Sequence, residues 1–176
     1  TLATNSIDSA ELIDGAIDAS HLASGVGGKL LQVVHNSYAT QVNVCTTSYA
    51  APGLTGAITP SATDSKILCF FKLQCRAHSI TSSYEWGYSC QVVRSGGASG
   101  TIFEEHATNV HSTYFSTDTG SIHLATHSSF QFLDTTHDTT SEITYTVNAK
   151  AAHASECVKF QDGEFPSLIT LMEIGA

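Results

Sequence analysis

After Lys29, apolar and polar positions alternate with a period of two over most of the chain, the spacing of strands that turn one face to a core. In Ser65 to Ala77 the odd positions hold Ile67, Cys69, Phe71, Leu73, Cys75 and Ala77, which predict a continuous core face. The even positions hold Lys66, Leu68, Phe70, Lys72, Gln74 and Arg76. Leu68 and Phe70 stand together on this otherwise polar face, which marks them as contacts to a second subunit. Ser121 to Leu133 puts Ile122, Leu124, Phe130 and Phe132 on one face with Thr126 and Ser128. Glu142 to Lys150 turns Ile143, Tyr145, Val147 and Ala149 inward, and Tyr84, Trp86, Tyr88, Cys90 and Val92 line a further strand. Weaker strands are expected in Lys29–Asn36, Gln41–Ser48, Gly53–Thr59, Thr101–Glu105 and Ser155–Phe160. Ser167 to Ile174 is apolar on both faces, as a central or interface strand would be. About eight to ten strands separated by turn signals predict an all-β, jelly-roll-like β-sandwich.

The N-terminal segment has a different period. Ser6 to Gly15 (SIDSAELIDG) and Ala16 to Gly25 (AIDASHLASG) are two aligned ten-residue units. Ile7, Leu12, Ile17 and Leu22 therefore recur every five residues, which matches neither a strand face nor a long helix face. Asp8 as N-cap, Glu11 at the third helical position, and Ile7 against Leu12 form a capping box with a hydrophobic staple. Asp18, Ile17 and Leu22 repeat the staple. Each unit reads as one or two helical turns carrying an apolar ridge, too short to stand alone in water. Sister copies around an axis are the simplest cover for such ridges. Residues 1–28 are thus expected to form a trimeric stalk and residues 29–176 the sandwich head. Gly25-Val26-Gly27-Gly28-Lys29 lacks the flanking Gly and Ser/Thr of a phosphate loop, with Ala23 and Leu30 in those places, and reads as a joint.

Composition narrows the partners. Seven Lys and Arg against sixteen Asp and Glu give a net charge of −9. No nucleic-acid partner is expected, because phosphate contacts need clustered cations. Membrane insertion is not expected either: anionic lipid is disfavoured and no apolar run approaches the ~20 residues of a span. Ser and Thr make up 44 of 176 residues, so hydroxyls rather than charges solvate the surface. The chain starts at Thr1, as a fragment or processed product would. The cysteines Cys45, Cys69, Cys75, Cys90 and Cys157 are odd in number and never at CxxC spacing. They read as small buried hydrophobes of a protein made in a reducing cytosol, without a disulfide framework.

Candidate chemistry is sparse. His123 and His127 are four apart but lie in a strand pattern without a neighbouring HExxH glutamate, so no metal and no cofactor is expected. No GxSxG elbow or paired carboxylates assemble a nucleophile, base and orienter, so the chain is not expected to be an enzyme. The stretch His106 to Gly120 is long, polar and rich in Ser and Thr. His111, Tyr114 and Phe115 within it are the candidate binding residues, aromatics among small hydroxyls as in adaptable recognition loops. A second strand packing Tyr114 and Phe115 inward is the alternative. Ser79–Ser83, Ser95–Gly100 and Asp134–Ser141 are further loop candidates.

Three segments carry a family resemblance: IDGAIDASHLASGVGGKLLQVV (Ile13 to Val34), LTGAITPSATDSKIL (Leu54 to Leu68) and SLITLMEIG (Ser167 to Gly175). They resemble the stalk-to-head joint, an I-T-P-x-x-x-x-S-K-I-L pattern and the last strand of a domain found at the C-terminal end of phage fibre proteins, including those of marine and cyanobacterial phages. Arg76 to Lys159 matches no motif. The resemblance implies a virion structural protein, assembled in the host cytoplasm. It would be a homotrimer with Ile7, Leu12, Ile17, Leu22, Leu68 and Phe70 at its interface, joined to other virion proteins through its N-terminal end. Its head would contact a host-surface receptor, a carbohydrate being the expected class, with three-fold display adding avidity. Alternatives are a head fibre or capsid-decoration protein of the same fold, and a TNF- or C1q-like trimeric binding domain, which would not explain the ten-residue units.

Overall fold

The computed structural model describes residues 30–79, 85–104, 113–114, 122–154 and 157–175. Twelve strands are seen among them: β1 (Leu30–Tyr38), β2 (Val42–Val44), β3 (Thr55–Ile58), β4 (Lys66–Ser79), β5 (Glu85–Trp86), β6 (Tyr88–Gly96), β7 (Gly100–Glu104), β8 (Thr113–Tyr114), β9 (Ile122–Asp134), β10 (Ile143–Ala151), β11 (Cys157–Phe160) and β12 (Ser167–Ile174). All the strand pairings are antiparallel. In the larger sheet β12 lies between β1 and β4, and β9 pairs along the other edge of β4. The facing sheet runs β3-β10-β6-β7. Numbering the eight long-range strands in chain order, the two sheets read first-eighth-third-sixth and second-seventh-fourth-fifth. That interleaving is the jelly roll, in which two Greek keys close over one core.

The strand β4 is long enough to take two partners end to end on one side. Lys66–Lys72 pairs with β12 and Cys75–His78 with β11, which in turn pairs with β2. Its inward residues Ile67, Cys69, Phe71, Leu73 and Cys75 are all at most 3% exposed. They meet Ile143, Tyr145, Val147 and Ala149 of β10 and Cys90 and Val92 of β6, so the period-two reading holds at each of these positions; the side chains of Ala77, Tyr84 and Trp86 lie outside the described residues. Phe130 and Phe132 of β9 each stack on Phe71 from one side and on Phe103 of β7 from the other. The four rings close the core where the edges of the two sheets meet. Gly53 is required where it stands: its φ is +97°, and the Tyr38 ring occupies the space a Cβ would need.

Three expectations change. The run expected over Tyr84–Val92 is, from Glu85 onward, two strands, because the chain switches ladders at Gly87, whose carbonyl accepts the Ala152 N–H instead of continuing a strand. The run Gln41–Ser48 keeps only Val42–Val44 as strand; beyond it Cys45 forms a disulfide with Cys157. This bond overturns the expectation that every cysteine is a free thiol. The two residues are 112 apart in sequence, but pairing of Val44 with Val158 brings them side by side. Cys69, Cys75 and Cys90 are buried thiols outside any disulfide, as expected.

Burial of one acid was also unexpected. Glu173 lies on the inward face of β12, in line with Ile169 and Leu171, and has no exposure. Its carboxylate accepts from Gln32 Nε2 at 2.5 Å, from the Ser61 N–H at 2.7 Å and from Ser61 Oγ at 2.8 Å. Burial alone would raise its pKa, but these donors, joined by Ser65, outweigh it and lower the pKa to about 2. The charged form is therefore favoured by folding, so its contribution is full above the ordinary value of 4.5 and is lost as pH falls toward about 2. Urea midpoints measured from pH 6 down to pH 2 are expected to decline through that window. Glu173→Gln, which turns an amide toward donors, should lose about 1–3 kcal/mol at pH 6 and show a flatter decline.

Candidate functional site

Two features outside the hydrophobic core carry functional potential. The first is the outer face of the larger sheet. Register places Val33 of β1 opposite Met172 of β12, Met172 opposite Leu68 of β4, and Leu68 opposite Leu133 of β9. The result is an unbroken apolar row across four strands, on the side away from the core. Val33 is 51% exposed and Leu133 45%. Phe70 follows in the next row beside Thr170, and Leu31 extends the face at a bulge in β1. Lys66 and Lys72 bound it along β4. The row arises because β4 and β12 are apolar at even as well as odd positions, the pattern of strands covered on both faces. Among the described residues only the inner of those faces is covered by a second sheet, and a contiguous apolar face of this kind marks an interaction surface.

The second feature is a polar clasp at the edge of the sandwich. Arg94 of β6 donates through Nη1 to both carboxylate oxygens of Asp134, each at 2.9 Å, from one sheet to the other. Tyr145 of β10 adds an O–H donor at 2.8 Å, and Thr136 adds its N–H at 3.0 Å and its hydroxyl at 3.3 Å. Burial would raise the Asp134 pKa, yet the Thr136 N–H, the Tyr145 hydroxyl and Arg94 together hold it below its usual value. Arg94 is only 8% exposed, and its Nε is buried without a partner. Above the clasp opens a cleft of about 310 Å³, lined by Arg94, Asp134, Thr101, Ile102 and residues 132, 133, 135 and 136. A larger cleft is lined, among the described residues, by Ala39, Thr40, Gln41, Gln161 and Gly163, and the Gln161 side chain is already bonded to Ser167.

The residues singled out from sequence divide accordingly. Leu68 and Phe70 lie on the outer face, half-buried, where alternation placed them. Tyr114 sits in β8, its backbone paired with Glu85, so the stretch 106–120 is not an uninterrupted loop. His111 and Phe115 lie outside the described residues, as do Ile7, Leu12, Ile17 and Leu22. In the loop candidate Asp134–Ser141, His137 is buried and bonded to the Ser65 carbonyl at 2.7 Å, so that segment is a packed corner. Among the described residues no group of three His, Cys, Asp or Glu side chains is placed to hold a metal ion. Burial raises the Cys75 thiol to about 11 and the Cys69 thiol also well above its ordinary value, so neither is a nucleophile at neutral pH. Arg94 and Asp134 were missed by sequence reading. They are 40 residues apart, and the one signal was a lone Arg closing the otherwise inward-facing series of β6.

No family model matches the chain, and no curated protein matches it. Among solved structures it is similar to the infectious bursal disease virus Gx strain, with 11% identity and a TM-score of 0.33 over 90% of this chain and 41% of that one. The infectious bursal disease virus VP2 subviral particle matches with 11% identity and a TM-score of 0.32, over 88% and 42% respectively. The chain thus spans about two-fifths of the length of these structures. Nothing about function follows from a likeness of this size.

Asp134→Asn is expected to destabilise the fold by about 3–5 kcal/mol in urea unfolding at pH 7, because it leaves the Arg94 guanidinium buried without its counter-charge. A loss below about 1 kcal/mol would mean that water, not Asp134, compensates Arg94.

Proposed function

We propose that this chain is a phage virion structural protein: the jelly-roll head of a homotrimeric fibre that contacts a host-surface receptor, a glycan being the receptor class. The apolar row Val33, Met172, Leu68 and Leu133 carries the reading. A solitary head would leave this row in water, whereas burying each large apolar side chain yields about 1.5–3 kcal/mol. A second copy is the occupant that explains why the row continues over four strands rather than forming a pocket. The ten-residue Ile/Leu units of residues 6–25 supply ridges that also need sister chains. The three segments resembling phage fibre termini supply the virion context, and jelly rolls recur in capsid and lectin domains.

The Cys45–Cys157 bond fits this setting. Disulfides persist on virion surfaces and not in a reducing cytosol, so the bond would form after assembly or release. The chemistry expected of such a head is recognition, with neither cofactor nor catalysis.

Light scattering of the purified chain is expected to give the mass of three chains, each of 18.6 kDa. Leu68→Asp should reduce it to one chain while leaving the thermal midpoint within about 5 °C, since the side chain is outside the core. The trimeric chain should also coat host cells and block adsorption of the virion. A monomeric wild-type chain at micromolar concentration would contradict the assembly, and a trimer that leaves adsorption untouched would contradict the receptor role in favour of capsid decoration.

A further inference from the structure

We infer that the cleft over the Arg94–Asp134 clasp is a binding site for a neutral polyhydroxylated ligand, one pyranose unit of a glycan; its biological role rests on the receptor reading above. The balance of donors and acceptors in the clasp sets the ligand chemistry. Asp134 is saturated: its two oxygens accept from Arg94, Tyr145 and Thr136 through five contacts, against about four lone-pair sites on a carboxylate. Arg94 is not. Its hydrogen bonds all leave from Nη1, to Asp134 and to Thr136, and Nε is buried without a partner. The side chain is more than nine-tenths buried and lines the cleft. Nε is sealed from solvent, but a guanidinium carries five N–H groups and only Nη1 is engaged, so this lining side chain still offers donors to an acceptor oxygen.

That acceptor is not expected to carry charge. The guanidinium charge is already matched by Asp134 at 2.9 Å, and the chain as a whole carries −9, so an incoming carboxylate or phosphate would meet net repulsion. The rest of the lining suits a sugar ring. Thr101 and Thr135 add hydroxyl-bearing residues to the lining, while Ile102 and Phe132 supply apolar surface for the C–H face of a ring. The volume, about 310 Å³, lies at the small end of the range for ligand pockets. The walls are held in place: Phe132 is stacked between Phe71 and Phe103. The cleft shares Leu133 with the apolar row, so it borders the assembly face proposed above.

The test uses the full chain, isotope-labelled, titrated with methyl α-mannoside, methyl β-galactoside, methyl β-glucoside and N-acetylglucosamine, with glucuronate as the charged comparison. At least one neutral sugar is expected to give saturable amide shifts confined to residues 94, 101–102 and 132–136, with a Kd of about 1–10 mM for a single ring. Glucuronate should bind about tenfold more weakly than glucoside. Arg94 variants risk unfolding because they strand Asp134, so the blocking variant is Thr101→Trp, on an exposed edge-strand position; it should abolish the shifts and leave the core spectrum intact. No saturable shift with any neutral sugar, shifts elsewhere, persistence in Thr101→Trp, or tighter binding of glucuronate would each overturn the inference. Host-cell coating separates the two claims. Coating without cleft shifts overturns this site and spares the receptor role, and cleft shifts without coating support the site and overturn that role.

Discussion

A strand that is apolar on both faces cannot be satisfied by one core. That constraint shapes this molecule. β4 and β12 pair in the middle of the larger sheet, and their inward residues are sealed by β10 and β6 of the facing sheet. Their outward residues, Leu68 and Met172, are aligned with Val33 and Leu133 into a row that no other strand among the described residues covers. Central strands of a two-layer domain normally alternate apolar and polar, because water covers the second face. Here the second face has the composition of a core, and the assembly proposed for the protein is the physical completion of that pattern.

The ends of the sandwich are held by different means. Arg94 and Tyr145 from one sheet converge on Asp134 from the other, and Gln32 and Ser61 converge on Glu173. Both carboxylates sit where apolar packing stops, and both are kept ionised by fixed donors rather than by water. Such clusters do little for net stability compared with apolar substitutes, but they penalise any register other than the one that pairs them. The aromatic stack of Phe71, Phe103, Phe130 and Phe132 finishes the same edge, so the cleft above the clasp has rigid walls on one side and a fixed charge pair beneath. A site whose polar floor is used for folding has its geometry set before any ligand arrives.

Much of the fold was legible in the order of the residues. Period two in Ser65–Ala77 and Glu142–Lys150 identifies both the strands and their inner faces, because alternation is a local property of extended backbone. The last strand could be recognised as central from its two apolar faces. What sequence could not supply was anything requiring two distant segments to meet. Cys45 and Cys157 carry no spacing signal, since only the β2–β11 ladder makes them neighbours. Nothing in the run Ser167–Ile174 set Glu173 apart, since its donors come from β1 and from the turn before β4. Arg94 and Asp134 become a pair only when the two sheets close. Gly87, a single small residue inside an aromatic-rich alternation, marks where β5 and β6 part to join different ladders.

Met172 offers the most direct test, because it is the one methionine of the chain and lies within the apolar row. Its thioether is oxidised by hydrogen peroxide at a rate set by access. If sister copies cover the outer face, Met172 in the concentrated native protein should be oxidised at least about tenfold more slowly than in Leu68→Asp at the same concentration, and the protection should fade on dilution. Oxidation at equal rates in the two proteins, independent of concentration, would contradict a covered face and with it the assembly.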